Sequence, residues 1–251
     1  MANAADESTF PRHDFPFESH TSLPSGHSWR WLSPPRRPLI QACRFAVGVL
    51  LCKVFISILL EYRYYFPANF DAAFLSGRRY TFVGIYRFGF YVHIITGPLT
   101  IFLATFLMLS GNRGWWMAFH RHAGRLLWGL VVGLLLPSGL IMASEAYAGP
   151  IAAWGFAALT LATAASCSMA ANCARIRNFR MHQRWATRTY LLLCSPLLLR
   201  IFSGAAIATG LESDLTYRLN AWLSWLIPIA IYEVWIFAGP LLGYRFREVT
   251  K

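Results

Sequence analysis

Six long apolar runs constrain the fold of this chain more than any other feature of its sequence. They cover residues 39–60, 88–109, 126–143, 151–174, 185–211 and 219–243. Each run has about 18 to 27 residues, which is enough for a helix rising 1.5 Å per residue to cross hydrocarbon about 30 Å thick. Backbone amides inside lipid must be hydrogen-bonded within their own segment, and a helix satisfies this requirement. The sequence therefore predicts an all-α integral membrane protein, a bundle of about six transmembrane helices.

The charges of the chain agree with a membrane location. Only 14% of the 251 residues are charged, and 23 Lys and Arg against 11 Asp and Glu give a net charge of +12. The basic residues cluster at the ends of the apolar runs, as the positive-inside rule and anionic headgroups predict. The sequence contains no recognisable nucleic-acid-binding motif. The expected partners are the lipid bilayer and its anionic headgroups, not nucleic acid, and the sequence identifies no protein partner.

The joints between the runs predict the orientation of the chain. The joints after the second and fourth runs and the C-terminal tail are rich in Arg, whereas the joints after the third and fifth runs are poor in it. This pattern places both termini in the cytoplasm. We therefore expect a disordered cytoplasmic tail at 1–37, a transmembrane helical domain at 38–244 and a short basic cytoplasmic tail at 245–251. The segment 61–87 would lie outside, and its aromatic residues predict a structured interfacial cap.

Two histidines stand at the same end of the predicted bundle. His120 opens the motif His-Arg-His-Ala-Gly-Arg, which ends at Arg125, and His182 opens a motif that contains Arg188. If the third and fifth runs are neighbours, the two rings face one another, which is the minimum for a bis-histidine haem or a metal site. Nearby arginines suit haem propionates or a phosphate. His122 lies about 200° around the helix from His120 and cannot easily serve the same centre. The alternative is ordinary contact of these residues with lipid headgroups.

A third histidine, His93, lies inside the second run near the opposite end. Gly97 is four residues further on and shares its helix face, so it leaves room beside the imidazole for another helix or a flat ligand. His93 is a candidate for a second cofactor site or a proton relay. The alternative is an imidazole hydrogen-bonded to a neighbouring helix.

Three further charges fall within the apolar runs, where ionisable groups are costly. Helical rise places Arg200 and Glu233 at similar depths, so they are predicted to pair across the bundle, either structurally or as part of a proton or substrate path to which Lys53 contributes. Eighteen residues separate His182 from Arg200, which is five helical turns. This spacing predicts one polar stripe that faces the bundle interior.

Three sequence blocks together resemble a known family. The first block is 93–97, similar to His-x-x-x-Gly, and the second is 120–125, similar to His-Arg-x-x-Gly-Arg. The third is 182–190 running on to Arg200, similar to a His-Arg-Arg-Trp-Met-x-Arg-Ser-Tyr block that ends in Leu-Arg. It departs from that pattern at Gln183, Ala186 and Thr189.

Over residues 45–205 the chain resembles a widespread group of bacterial multipass membrane proteins classed as a domain of unknown function. The resemblance implies a location in the bacterial inner membrane and singles out the histidines and Arg188. It supplies no reaction.

Three hypotheses for the function remain open. The first is a membrane redox protein that binds haem b or a metal through His120 and His182. The second is a small proton-coupled transporter that uses Lys53, His93, Arg200 and Glu233. The third is an assembly or scaffold protein of the membrane. The sequence contains no serine nucleophile elbow, HExxH zinc motif or P-loop, which disfavours a lipid-acting enzyme. Whether the chain is an enzyme of another kind stays open.

Overall fold

The computed structural model describes residues 36–72, 74–110 and 116–241. The two predicted tails lie outside the described residues, except that residues 36 and 37 open the first helix. The chain divides into two units between Phe45 and Ala46. The packing described here is that of the second unit.

The described residues are helical and contain no strand. The helices are α1 (Arg36–Glu61), α2 (Gly84–Ser110), α3 (Trp116–Leu130), α4 (Leu136–Ser144), α5 (Pro150–Arg175), α6 (Phe179–Leu193), α7 (Ser195–Ala208) and α8 (Asp214–Leu241). A π-helical segment, Val131–Leu135, joins α3 to α4, and α6 and α7 meet at Cys194.

Six helical segments are long and apolar enough to cross a membrane. These spans are Gln41–Tyr64, Gly84–Ser110, Met117–Ser144, Pro150–Arg175, Phe179–Ala208 and Asp214–Ala238. They confirm the predicted all-α multipass architecture. The cytoplasmic position of both termini stays a prediction.

The third and fifth spans begin several residues before the apolar runs that predicted them. As a result His120 and His182 lie inside helices, close to their first turns. Asn178 caps α6, because its side chain accepts a hydrogen bond of 3.1 Å from the backbone amide of Met181. Such a cap satisfies an amide that has no partner within the helix, so α6 can start in a basic, polar sequence.

Helix α5 organises the bundle and packs against α3, α4, α6 and α8. Its buried residues are all small: Ala152, Gly155, Thr163, Ala164, Ser166, Cys167, Ala170 and Cys173. Small side chains allow helix backbones to approach closely where lipid supplies no hydrophobic driving force. α5 thereby holds α3 and α6, which carry the histidine pair, against the same support.

The predicted structured segment between the first two spans is confirmed. An aromatic cluster holds it against α2, and its buried members are Tyr65, Leu75, Phe82, Tyr86 and Phe90. The Tyr62 hydroxyl donates a hydrogen bond to the backbone carbonyl of Ile94. Pro98 lies inside α2 and has no amide hydrogen to offer this carbonyl four residues before it. Tyr62 therefore satisfies the acceptor that the proline leaves free.

Helix α1 is the least covered of the spanning helices. Its half-buried residues recur at helical spacing, at Leu51, Val54, Phe55 and Ile58, and so mark one face of the helix. At its end Glu61 accepts hydrogen bonds of 2.9 and 3.3 Å from the Arg200 guanidinium of α7. Both side chains are close to half exposed. This ion pair joins the end of α1 to α7.

Candidate cofactor site and intramembrane ion pair

The rings of His120 and His182 lie next to one another. Their centroids are 6.5 Å apart and their planes are inclined by 76°. Both residues are half-buried, one near the start of α3 and the other in the first turns of α6. The predicted meeting of these two rings is confirmed.

Each ring is held at its Nδ1 atom. Nδ1 of His182 is 2.9 Å from the backbone carbonyl oxygen of Ala170. A carbonyl only accepts, so Nδ1 carries the proton, and the Nε2 atom of the neutral ring keeps its lone pair. Nδ1 of His120 is 3.1 Å from the Ser110 hydroxyl, which either donates or accepts. Histidines that bind metals use their second nitrogen in this way, which fixes ring orientation and tautomer.

The histidine pair offers two candidate ligands. Among residues 36–72, 74–110 and 116–241, no group of three or more His, Cys, Asp and Glu side chains is placed to hold a metal ion. His122 is exposed on α3. This position agrees with the prediction that His120 and His122 do not serve one centre. The described residues therefore bring two imidazoles together at this place, without a third candidate ligand.

His93 belongs to a different part of the bundle. Its Nδ1 is 3.4 Å from the Ser138 hydroxyl of α4. Ser110, which holds His120, lies 17 residues further along α2, about 25 Å by helical rise. His93 therefore cannot join the His120–His182 pair. Its contact with Ser138 matches the alternative of hydrogen bonding to a neighbouring helix.

A second glycine, besides the predicted Gly97, lies close to His93. No atom lies within 4 Å of a β-carbon built at Gly97. A β-carbon at Gly139 of α4 would be 2.9 Å from Thr160 and 3.5 Å from Cε1 of His93. Space is therefore open at Gly97, as predicted, and whether a ligand or helix uses it stays a prediction. The approach of α4 to α2 through Gly139 could not be predicted, because a helical period within α2 does not reveal a glycine on another helix.

Arg188 and Glu233 form an ion pair within the fifth and sixth spans. The Arg188 Nε donates to one carboxylate oxygen at 2.6 Å and its Nη2 to the other at 2.9 Å. The guanidinium carbon also lies 4.5 Å from the centre of the Trp185 ring. This bidentate geometry is the stronger form of the Arg–carboxylate interaction.

The predicted pairing of Arg200 with Glu233 was wrong. Helical rise from the observed ends of the two spans places Glu233 about 28 Å and Arg188 about 30 Å down, against about 12 Å for Arg200. The apolar runs had set those ends at 211 and 219, whereas the spans end at Ala208 and begin at Asp214. The predicted stripe from His182 to Arg200 also assumed one unbroken helix, but α6 ends at Leu193 and α7 begins at Ser195.

Two donors beside this ion pair are buried without a partner among the described residues. They are Nη1 of Arg188 and Nε1 of Trp185. A buried donor without an acceptor is destabilising, so such atoms mark either a cost of the fold or a place where another group binds. The remaining predicted polar residues, Lys53 and Arg125, are exposed.

Sequence reasoning missed three contributors to these sites. The Ala170 contribution is a backbone carbonyl, which no side-chain pattern reveals. Ser110 ends α2, and its proximity to His120 depends on how α2 and α3 pack. Glu61 could have been singled out from the sequence, because it is a carboxylate directly after the apolar run 39–60, which contains no acid.

This fold and its polar residues define a multipass helical membrane protein with a histidine pair at one end and an ion pair inside the bundle. The chain belongs to the family described as Predicted membrane protein (DUF2306), whose model matches residues 90–236. The family resemblance predicted from the three sequence blocks is thereby confirmed. The match includes all three candidate histidines and both members of the Arg188–Glu233 pair. No curated protein and no solved structure matches the chain.

Proposed function

We propose that this chain is a membrane redox protein that binds haem b between His120 and His182. The observation that carries the proposal is the ring separation of 6.5 Å. Two imidazoles that bind one metal ion from opposite sides, at about 2.0 Å each, place their ring centres about 6.3 Å apart. The two histidines are thus spaced for a single shared iron.

The number of ligands favours haem over a bare metal ion. The described residues offer this site two imidazoles and no third metal-binding side chain. Structural zinc sites use four protein ligands, and catalytic ones use three. A haem supplies four nitrogens from its macrocycle and needs only two axial ligands from the protein. One histidine pair accounts for one haem.

The neighbouring residues support the same chemistry. The Ala170 carbonyl and the Ser110 hydroxyl orient the rings, and the bond to Ala170 raises the basicity of Nε2 of His182. Arg121 and Arg125 are exposed on α3 beside His120, where they are available to carboxylates such as haem propionates. A haem bound in this way accepts and releases single electrons. The expected location is the bacterial inner membrane.

Absorption spectroscopy tests this proposal. The full-length protein would be produced in cells supplied with a haem precursor, purified in mild detergent, and measured oxidised and after reduction with dithionite. We expect a Soret band and, on reduction, the sharp bands of a low-spin haem. His120→Ala and His182→Ala should each lose the low-spin signature.

His122→Ala is the matched control, because its ring is exposed two residues from His120. It should retain the full spectrum, and His93→Ala should do so as well. A colourless wild-type protein that also fails to bind added haemin would overturn the proposal, as would an unchanged spectrum in both the His120 and the His182 variants.

A second candidate function is proton-coupled transport, and one observation favours it. The Arg188–Glu233 pair lies inside the membrane spans beside two donors that have no partner among the described residues. Intramembrane charges of this kind mark ion and substrate paths. If the protein is a transporter, the wild type should conduct protons in proteoliposomes with an imposed pH gradient, and Glu233→Gln should not. Equal flux in the wild type, the variant and empty liposomes contradicts it.

A further inference from the structure

The side chain of Lys53 lies near the middle of the first span. Twelve residues separate it from Gln41 at one end of the span and eleven from Tyr64 at the other. At 1.5 Å per residue it is about 17 Å from either end, more than half of a hydrocarbon layer about 30 Å thick. Its ammonium group has no hydrogen bond or ion pair with any described residue, and the side chain is exposed.

Lys53 is on the face of α1 that points away from the other described helices. The half-covered residues Leu51 and Phe55 lie about 160° and 200° around the helix from it. The residues one turn from Lys53 are open instead: Val49, Leu50 and Ile56 are 52%, 45% and 50% exposed. Ser57, which shares this face, is also exposed. The predicted contribution of Lys53 to an internal path with Arg200 and Glu233 has no contact to support it.

A lysine at this depth is too far from either surface to reach headgroups easily, since lysines near helix ends are the ones that extend to the interface. The described part of the chain offers no counter-charge to Lys53. Within the described spans, Glu233 is bound to Arg188 and Glu61 is bound to Arg200 at the end of α1. A second copy of this chain would bring the same occupied carboxylates and another lysine of like charge.

We propose that the Lys53 face of α1 binds a spanning helix of another membrane protein that carries an aspartate or glutamate at mid-membrane depth. Charge complementarity defines the partner, because a carboxyl group pairs with the ammonium and removes the unbalanced charge from lipid. The Ser57 hydroxyl, one turn away and bonded to the Lys53 carbonyl at 2.9 Å, gives the interface a second polar group. The proposal does not depend on haem binding.

Fluorescence energy transfer in proteoliposomes of neutral phosphatidylcholine tests the interaction. The donor is placed on Cys43 in a Cys52→Ser background, since these two cysteines are exposed and Cys167, Cys173 and Cys194 are buried. The acceptor is carried by a synthetic Leu-Ala helix of about 24 residues, long enough to span the bilayer. Three peptides are compared, with Glu, Gln or Leu at the central position.

The Glu peptide is expected to associate with the wild-type protein about tenfold more tightly than the Leu peptide. Lys53→Leu should abolish this preference, and Lys53→Arg should keep it. Both variants should fold, because the Lys53 side chain has no partner among the described residues to lose, and circular dichroism verifies this. Equal transfer to the Glu and Leu peptides, or a preference that survives in Lys53→Leu, overturns the proposal. Energy transfer between donor- and acceptor-labelled copies without peptide that is lost in Lys53→Leu also overturns it, because it assigns the face to self-association.

Discussion

Arg188 and Glu233 are joined by two hydrogen bonds, of 2.6 and 2.9 Å, and their side chains are only 17% and 29% exposed. The pair links α6, which carries His182, to α8. A buried ion pair adds little net stability compared with a well-packed apolar pair, but loss of one partner leaves the other charge uncompensated. The pair therefore constrains which substitutions the bundle interior tolerates.

The first prediction concerns this uncompensated charge. Glu233→Ala is expected to lower the free energy of unfolding by about 3 kcal/mol, because it leaves the Arg188 guanidinium without its counter-ion. Unfolding in mixed detergent micelles, followed by circular dichroism, measures the change. Glu212→Ala, at an exposed acid between α7 and α8, is the control and should change stability by less than about 0.5 kcal/mol.

The double variant Arg188→Leu/Glu233→Leu separates charge from packing. It should recover most of the stability that Glu233→Ala loses, because both charges are removed together. A double variant as unstable as Glu233→Ala would contradict the explanation by unpaired charge.

The second prediction concerns the carbonyl that Pro98 leaves free. Tyr62→Phe removes the donor to the Ile94 carbonyl and is expected to cost about 1–2 kcal/mol of stability. In a Pro98→Ala background, the new amide at position 98 can bond that carbonyl, so the same Tyr62→Phe change should cost less than about 0.5 kcal/mol. Unfolding of the four proteins gives the coupling directly. Equal costs in the two backgrounds would show that the hydroxyl does not serve this acceptor.

The third prediction concerns the approach of α4 to α5. Gly139→Ala places a β-carbon 2.9 Å from Thr160, closer than packed atoms tolerate, and should destabilise the protein by about 1–3 kcal/mol. Thr160→Ala removes both contacting atoms and should relieve most of this loss in the double variant. Gly129→Ala is the matched control, since no atom lies within 4 Å of its new β-carbon. A loss at Gly139 that Thr160→Ala does not relieve would place the strain elsewhere.

The fourth prediction rests on the proposed haem and concerns Ser110. Ser110→Ala removes the group 3.1 Å from Nδ1 of His120 but leaves both histidines in place. Loss of such an orienting contact typically weakens metal binding by about 10- to 100-fold. We expect the Ser110 variant to keep a low-spin spectrum. A competing haem-binding protein should remove its haem at a concentration about 10- to 100-fold lower than the concentration needed for the wild type. Thr105→Ala, five residues earlier in α2 and bonded to Tyr190, is the control. Identical haem retention in the Ser110 variant and the wild type would mean that the hydroxyl does not support the ligand.

Much of the candidate site was predictable from local spacing. Depth along a helix follows directly from residue number, so the sequence places His120 and His182 at the same end of their spans. That the two rings meet depends on how the helices pack. The partner of Arg200 was not predictable in this way. The predicted span ends were wrong by a few residues, so the predicted depth of Glu233 was wrong as well. The break at Cys194 also meant that residues could not be counted along one continuous helix from His182 to Arg200.

The sequence by itself determined the membrane architecture, the six spans and the ends at which the histidines stand. These follow from the cost of placing backbone amides and charges in hydrocarbon, and each segment meets that cost on its own. Only the tertiary structure decided that Arg188 pairs with Glu233, that Ala170 orients His182 and that Lys53 points outward. Those relationships depend on which helix faces which and at what level, and the hydrophobicity of a single segment carries no information about its neighbours.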